Sequence, residues 1–348
     1  MDSHVAQPGI DPEPVTAWFE ANVPGTVPPL RFDLIAGGRS NLTYRVRDGA
    51  DGDWVLRRPP TGHVLATAHD MGREHRIISA LAPTDVPVAP VVGFCDDESV
   101  NGAPFYVMTY VDGLVLRDNA SALAVTPEVR RRAGLSVAEN LARIHAVDPD
   151  AVGLGDLGRK EGYIERQLKR WNGQFEKSRT REVPVVTEAH QRLLSGIPVQ
   201  GAPAIVHGDY RLDNCMVDPT GEVIAVLDWE ICTLGDPLAD LGILMVYWTE
   251  RDDPYAALPG ATTLDGFPGR REMVEAYEAA GGRSVGDLDY YIGFGYWKLA
   301  CILEGVYTRY KAGAMGDDGT DASAADGFGA VVELLGQASL AALDKIGA

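Results

Sequence analysis

The chain carries two short apolar runs, 204–207 and 223–227, and each hands over directly to oxygen-bearing side chains. The first opens into Gly208-Asp209-Tyr210-Arg211-Leu212-Asp213-Asn214, and the second ends at Asp228-Trp229-Glu230. Two β-prone runs separated by a turn read as a hairpin whose ends bring Asn214 and Asp228 close enough to share a metal ion. Asp209 then sits beside them. Each of the three adjoins an apolar run that fixes it on a rigid element, so they read together as a site and not as separate turn and surface residues.

Upstream, residues 34–46 read as strand, Gly-rich turn and strand, with Gly37-Gly38-Arg39-Ser40-Asn41 at the turn. A further turn at 48–53 leads into Trp54-Val55-Leu56-Arg57-Arg58, stopped by Pro59-Pro60. The spacing predicts a helix over 68–81 through Met71, Ile77, Ile78 and Leu81, with Glu74 among them, then strands at 91–95 and 105–111. These elements give a β-rich first lobe, 1–112, with a five-stranded antiparallel sheet and a helix. The second lobe, 113–348, is mostly helical, with predicted helices at 128–145, 163–176, 188–194, 238–247, 270–280, 287–310 and 330–346. Residues 313–329, rich in Gly, Asp, Ala and Ser, read as a mobile loop. A chain of 348 residues divides naturally in this way, since single cores stop growing at about 250–300 residues. The expected fold class is α+β with two lobes.

The five-residue step from Asp209 to Asn214, followed by an Asp at the end of a short strand, suits phosphoryl transfer. There an Asp accepts the hydroxyl proton while an amide and a second carboxylate hold metal. A metaphosphate-like transition state needs positioning and charge neutralisation more than covalent help, and Mg²⁺ is a hard cation that takes oxygen ligands. On this reading Asp209 is the catalytic base, and Asn214 and Asp228 are the metal ligands. In the first lobe the 37–41 turn, with its backbone N–H groups, Ser40 and Asn41, lies over the phosphates. Alternation puts Val55 and Arg57 on one face, Val55 to cover adenine and Arg57 to reach the α and β phosphates. Arg57 stands where lysine is usual, a planar fork in place of a point charge, and Glu74 is its candidate partner.

The segments HGDYRLDN, AVLDWE and TLGDPLADL resemble those of the aminoglycoside phosphotransferase family, in its branch similar to the kinase domains of acyl-CoA dehydrogenase family members. GGRSNLTYRV, WVLRRPP, REHRIISAL, PFYVMTYVDG, LARIHAVD and RQLKRW extend the resemblance, in order, along most of the chain. It implies a protein-kinase-like two-lobed fold that uses ATP and Mg²⁺ to phosphorylate a hydroxyl of a small molecule. It also implies that the 106–112 stretch, with Tyr106, Met108 and Tyr110, offers backbone groups to adenine. The acceptor implied is open among aminoglycosides, amino alcohols, sugars and hydroxyacyl compounds.

Other polar residues have structural readings. His145 lies on an apolar helix face and reads as a core histidine; Asp236 and Asp240 read as ties between the catalytic loop and a helix start, and His207 as a support of that loop. Tyr163, Arg166, Trp171, Tyr290, Tyr291, Trp297 and Glu304 could line an acceptor pocket, but aromatic residues at helical spacing read first as core.

Lys plus Arg number 31 against 50 Asp plus Glu, a net charge of −19. Such a surface repels nucleic acid and anionic membrane, leaves phosphate binding to local groups, and favours a cationic acceptor. Four scattered cysteines without a CxxC pair fit a reducing cytoplasm, and no leader or membrane-spanning run is legible. Oligomeric state has no signature. Two rival functions are a nucleotide-binding pseudokinase, motivated by Arg57 and the atypical glycine turn, and a metal-dependent phosphohydrolase built on Asp209, Asp213 and Asp228.

Overall fold

The computed structural model describes residues 7–36, 41–61, 70–255, 260–286, 288–312 and 322–347; Ser40 and its neighbours 37–39 lie outside them. The chain divides into two compact units, Met1–Gly113 with Ile224–Glu230, and Leu114–Val223 with Ile231–Ala348.

The first unit contains α1 (Pro12–Asn22), β1 (Arg31–Ala36), β2 (Leu42–Arg47), β3 (Asp53–Arg58), α2 (Met71–Leu81), β4 (Val91–Cys95), the single turn α3 (Glu98–Asn101) and β5 (Phe105–Thr109). Its strands form one antiparallel sheet in the order β1-β2-β3-β5-β4. Period-two alternation divides the sheet into two faces. Tyr44, Val46, Leu56, Phe105 and Val107 point to one side and pack with Val15 and Phe19 of α1. Opposite Trp54 and Leu56, the intervening residues Val55 and Arg57 face the other way. There they share their side with Met108 and Tyr106, their register partners on β5. The alternation thus divides the sheet into a face packed on α1 and a face carrying Val55, Arg57, Tyr106 and Met108. Helix α1 has no counterpart in the sequence reading. Its apolar stripe is short, Val15 and Phe19 one turn apart with Trp18 beside them, and its terminus is a Pro-rich segment that reads as coil.

The second unit runs through β6 (Leu114–Val115), α4 (Asn119–Leu123), α5 (Pro127–Ala146), α6 (Tyr163–Ser178), α7 (Pro184–Ser195), β7 (Ala204–Val206) and β8 (Cys215–Val217). The chain then passes through β9 (Val223–Val226) and the 224–230 segment of the first unit, and returns as β10 (Thr233–Gly235), α8 (Leu238–Tyr247), α9 (Arg270–Ala279), α10 (Leu288–Lys311) and α11 (Ala322–Asp344). Helix α10 is the centre of this unit and packs against α6, α7, α8 and α11. Leu168, Phe175, Leu193, Tyr290, Phe294 and Trp297 fill the core they enclose. Helices α8 and α10 approach closely because Gly242 has no side chain: a Cβ there would lie 2.5 Å from the Tyr291 carbonyl oxygen. That approach brings the polar residues of α8 and α10 to the same loop.

The helix α11 begins at Ala322, so residues 322–329, read from composition as part of a mobile loop, are helical. Alanine, abundant there, is the best helix former, and the Phe328 ring stacks on Tyr310 at 5.4 Å. The rest of that reading, 313–321, lies outside the described residues. Among the described residues no helix is long and apolar enough to cross a membrane.

Candidate active site

In the first unit the site is built around Arg57. Strand β3 projects it from the sheet face opposite α1, and helix α2, started by Asp70 accepting the Arg73 N–H, presents Glu74 from its first turn. Arg57 Nε donates to Glu74 Oε2 at 3.1 Å and a terminal nitrogen donates to Asp228 Oδ1 at 2.6 Å. The guanidinium fork thus bridges two carboxylates. Glu74 is 2% exposed, and burial pushes its carboxyl up against the opposing pull of Arg57. Burial also disfavours the charge on Arg57, but Glu74, Tyr106 and Asp228 outweigh it and hold the guanidinium protonated. The Tyr106 ring is wholly buried with its hydroxyl bonded to Glu74, and its strand is paired on both sides, with Arg57 and Phe94 as register partners.

The remaining nucleotide candidates of this unit are dispersed around Arg57. Val55 and Met108 are buried opposite each other, an apolar pair on the same sheet face as Arg57. Tyr110 follows β5, with the Arg45 guanidinium 3.8 Å above its ring and Arg45 itself paired with Asp53. Asn41 is buried, and its Nδ2 donates to Glu230 Oε2 at 3.2 Å. The 224–230 segment is held by that bond, by Val226 N–H on the Pro87 carbonyl at 2.8 Å, and by Arg73 on the Glu230 carbonyl at 3.3 Å. Trp229, buried, donates its indole N–H back to Val226 O. Within this brace Asp228 adopts φ 63°, the one non-glycine residue with positive φ among the described residues. That conformation costs about 1–2 kcal/mol, and a neighbourhood that imposes it on a carboxylate is of the kind found where a side chain must be aimed.

In the second unit β7 pairs antiparallel with β10, and the chain turns out of β7 at His207 and Gly208. Both of their backbone N–H groups donate to the Asp240 carboxylate, at 2.6 and 2.8 Å. Asp240 projects from the first turn of α8, is 1% exposed, and has His145 Nε2 3.6 Å away. His145 is held in turn by the Tyr277 hydroxyl at 2.9 Å, and Asp236 accepts from the Tyr291 hydroxyl at 2.7 Å. These residues tie the loop to α5, α8, α9 and α10, as their sequence setting suggests. Gly208 has φ 89°, which only glycine adopts without strain, and an added Cβ would press on Ile231.

This brace presents Asp209. Its side chain is 32% exposed, and Asn214 Nδ2 donates both to its backbone oxygen at 2.8 Å and to its Oδ2 at 3.1 Å. The amide therefore orients the carboxylate with its nitrogen and keeps its oxygen, Oδ1, for another partner. Arg211 lies 3.4 Å from Asp209 and 2.9 Å from Asp213, with its guanidinium 4.9 Å over the Tyr247 ring. Tyr210, buried, anchors the loop to the Val137 carbonyl at 2.8 Å. A hollow lined by Leu116, Arg117, Arg211, Asp213, Tyr247 and Trp248 opens beside it. A larger hollow of about 500 Å³ lies at 29–31 and 47–53, and no candidate site residue lines it.

One residue of this centre escaped the sequence reading. Lys298 of α10, 8% exposed, donates its Nζ proton to the Gly208 carbonyl at 3.1 Å. Its signal was a single lysine inside an otherwise apolar helix stretch, Tyr296-Trp297-Lys298-Leu299. Tyr163, Tyr290, Tyr291 and Trp297 are core, as their spacing suggests.

A β-rich unit whose sheet carries an Arg–Glu pair, with a helical unit built around an Asp-x-x-x-x-Asn loop, defines a protein-kinase-like phosphotransferase fold. The chain belongs to the phosphotransferase enzyme family, abbreviated APH, whose model matches residues 31–278. It is 38% identical over 291 residues to acyl-CoA dehydrogenase family member 10 of Mus musculus, covering 82% of this chain and 27% of that protein. It is 32% identical over 281 residues to family member 11 of Homo sapiens, covering 79% and 36%. The chain thus spans between about a quarter and a third of the curated relatives it matches. A Ralstonia eutropha protein, provisionally named as an aminoglycoside phosphotransferase, superposes with TM-score 0.79 at 34% identity over 95% of this chain and 98% of its own. The GDP complex of aminoglycoside 2'-phosphotransferase-IIIa, at TM-score 0.63 and 15% identity over 95% and 98%, shares the fold.

Proposed function

We propose that this chain is an ATP- and Mg²⁺-dependent kinase that moves the γ-phosphoryl group to a hydroxyl of a small molecule. The observation that carries the proposal is the setting of Asp209: a partly exposed carboxylate, oriented by Asn214, on a loop whose backbone is bonded to buried Asp240. A carboxylate so held can take the proton from an attacking hydroxyl as the phosphoryl group transfers, and needs no further chemical capacity. Asn214 and Asp228 are the proposed metal ligands. The fit is chemical: Asn214 bonds through its nitrogen and keeps Oδ1, and Asp228 is aimed by a strained backbone, so both offer the oxygen that Mg²⁺ prefers. Magnesium, when bound, would neutralise charge on the β and γ phosphates. Arg57, Val55 and Met108 are the proposed nucleotide contacts, with Glu74 orienting Arg57. Backbone groups at Tyr110, and the 40–41 turn with Ser40 and Asn41, complete the set. The hollow beside Arg211 is the proposed acceptor position.

An ADP-release screen with MgATP against hydroxylated amines, sugars and acyl thioesters, with Asp209→Ala as blank, tests the proposal. Acceptor-dependent ADP release that vanishes in the variant is the expected result; equal release by both proteins refutes it. Release of inorganic phosphate without any acceptor, at a rate no alcohol raises, would favour a phosphohydrolase instead.

A further inference from the structure

Lysine is rarely buried, because an ammonium loses its hydration and its long stem is ordered. Lys298 is nonetheless inside the second unit, on the central helix, where a leucine or methionine would pack without that cost. Its Nζ meets the Gly208 carbonyl at 3.1 Å and lies 5.7 Å from the Trp171 ring of α6. Burial lowers its pKa, against the opposing pull of Asp240 and Asp209.

The Gly208 carbonyl belongs to the same peptide unit as the Asp209 N–H. That N–H donates to His207 Nδ1 at 3.4 Å, and the Gly208 N–H on the preceding unit is taken by Asp240 at 2.8 Å. Lys298 therefore grips the oxygen end of the peptide that carries Asp209, while His207 meets its nitrogen end. A peptide plane held at both ends cannot rotate, and it fixes the N–Cα bond of the next residue, the axis from which Asp209 projects. With Gly208 at φ 89°, a residue whose conformational freedom is the widest of any, the loop has little intrinsic stiffness of its own to do this.

On the phosphotransferase reading given above, we propose that Lys298 is a positioning residue of the reaction, clamping the Gly208 carbonyl so that the Asp209 carboxylate points at the acceptor hydroxyl. It acts through Gly208 on the transition state and leaves nucleotide binding alone.

The test compares wild type, Lys298→Met, Lys298→Arg and Asp209→Asn by ADP release from MgATP, with water or the first alcohol found to release ADP as acceptor. KM for ATP and thermal midpoint are measured alongside. Lys298→Met is expected to lower kcat by roughly 30- to 100-fold, the scale of an ångström-sized misplacement, with KM for ATP within about twofold. The Gly208 carbonyl left unpaired is destabilising and loss of a buried ammonium offsets part of that cost, so the midpoint should stay within about 3 °C of wild type. Lys298→Arg, which keeps a cationic donor, should recover kcat to within about tenfold of wild type. A merely structural lysine would instead lower the midpoint and leave the kcat of the folded fraction intact. If Lys298→Met fails to fold, Lys298→Leu, which likewise has no donor, carries the comparison, and an unchanged kcat in that variant overturns the inference. Full kcat in Lys298→Met beside an inactive Asp209→Asn overturns the clamp and spares the kinase reading. Full activity in Asp209→Asn, or no ADP release from wild type with any acceptor, removes the kinase reading itself.

Discussion

Replacing Asp240 by Asn removes one charge and moves no heavy atom, so its effect can be worked from the hydrogen bonds alone. Both carboxylate oxygens accept backbone N–H groups, from His207 at 2.6 Å and Gly208 at 2.8 Å, at a side chain 1% exposed. An amide offers one acceptor oxygen, and its NH₂ must face the other N–H, donor against donor. The unpaired N–H costs about 1–3 kcal/mol, and the surviving bond loses charge assistance worth about 1 kcal/mol, about 3 kcal/mol in all. At about 2.1 cal/mol/K of unfolding entropy per residue, each kcal/mol moves the thermal midpoint of a chain of this size by about 1–2 °C, so calorimetry should show a fall of about 3–6 °C. Because Asp209 follows directly on these two residues, kcat should drop by at least about tenfold in the folded protein. A variant that melts within about 2 °C of wild type, with normal kcat, would refute the assignment of Asp240 as the brace of this loop.

The same carboxylate predicts a pH dependence. Burial pushes the Asp240 carboxyl up, yet His145, His207 and the Gly208 N–H outweigh it and hold it below the ordinary carboxylate range. A folded pKa below the unfolded one means stability that is present above about pH 4 and is lost as pH falls through the folded value. The gap in unfolding free energy between wild type and Asp240→Asn should therefore be full at neutral pH and narrow once pH drops below about 4. A gap that widens with acid would contradict the sign.

Two further substitutions separate the parts of the site. Tyr106→Phe removes the hydroxyl that meets Glu74 and should cost about 1 kcal/mol, read by denaturant titration as a lower midpoint at constant slope. Asn214→Ala frees the Asp209 carboxylate and removes a proposed metal oxygen, so kcat should fall by at least about a hundredfold while half-maximal activity needs more Mg²⁺. An unaltered Mg²⁺ requirement in that variant would take Asn214 out of the metal set.

The parts legible in the sequence are those whose cause is local. Alternation in 54–58 sorted Val55 and Arg57 from Leu56 because side-chain direction in a strand follows from parity alone. Asp209 and Asn214 could be paired because a five-residue step through one loop leaves little freedom. Lys298 could not be found in this way, since its partner, Gly208, is 90 residues distant and nothing local marks a lysine as facing inward. Helix α1 failed for a related reason. Its stability comes from the far face of a sheet whose strands follow it in the chain, while its own short stripe carries little signal. The composition-based loop at 322–329 failed because small residues are compatible with both coil and helix, and contacts such as Phe328 on Tyr310 decide between them.

Arg57 decides between an active kinase and a nucleotide-binding relative without turnover, and Arg57→Lys makes the decision measurable. The guanidinium bonds Glu74 with one nitrogen and Asp228 with another, at 3.1 and 2.6 Å, so any cation that Asp228 is to ligate must compete with Arg57. An ammonium on a shorter stem presents one point of charge and cannot span both carboxylates with the fork geometry. With Glu74 buried and Asp228 31% exposed on its side chain, the lysine should stay with Glu74, where desolvation makes an unpaired carboxylate most costly. Asp228 is then released. Half-maximal activity in Arg57→Lys should accordingly require about severalfold less Mg²⁺, while KM for ATP rises because the phosphates lose a two-pronged contact. If the variant instead needs more Mg²⁺, Arg57 is helping to aim Asp228 and not competing for it. If neither protein shows any Mg²⁺-dependent ADP release, the Arg57–Asp228 pair is a closed structural bridge, and the pseudokinase reading gains the ground.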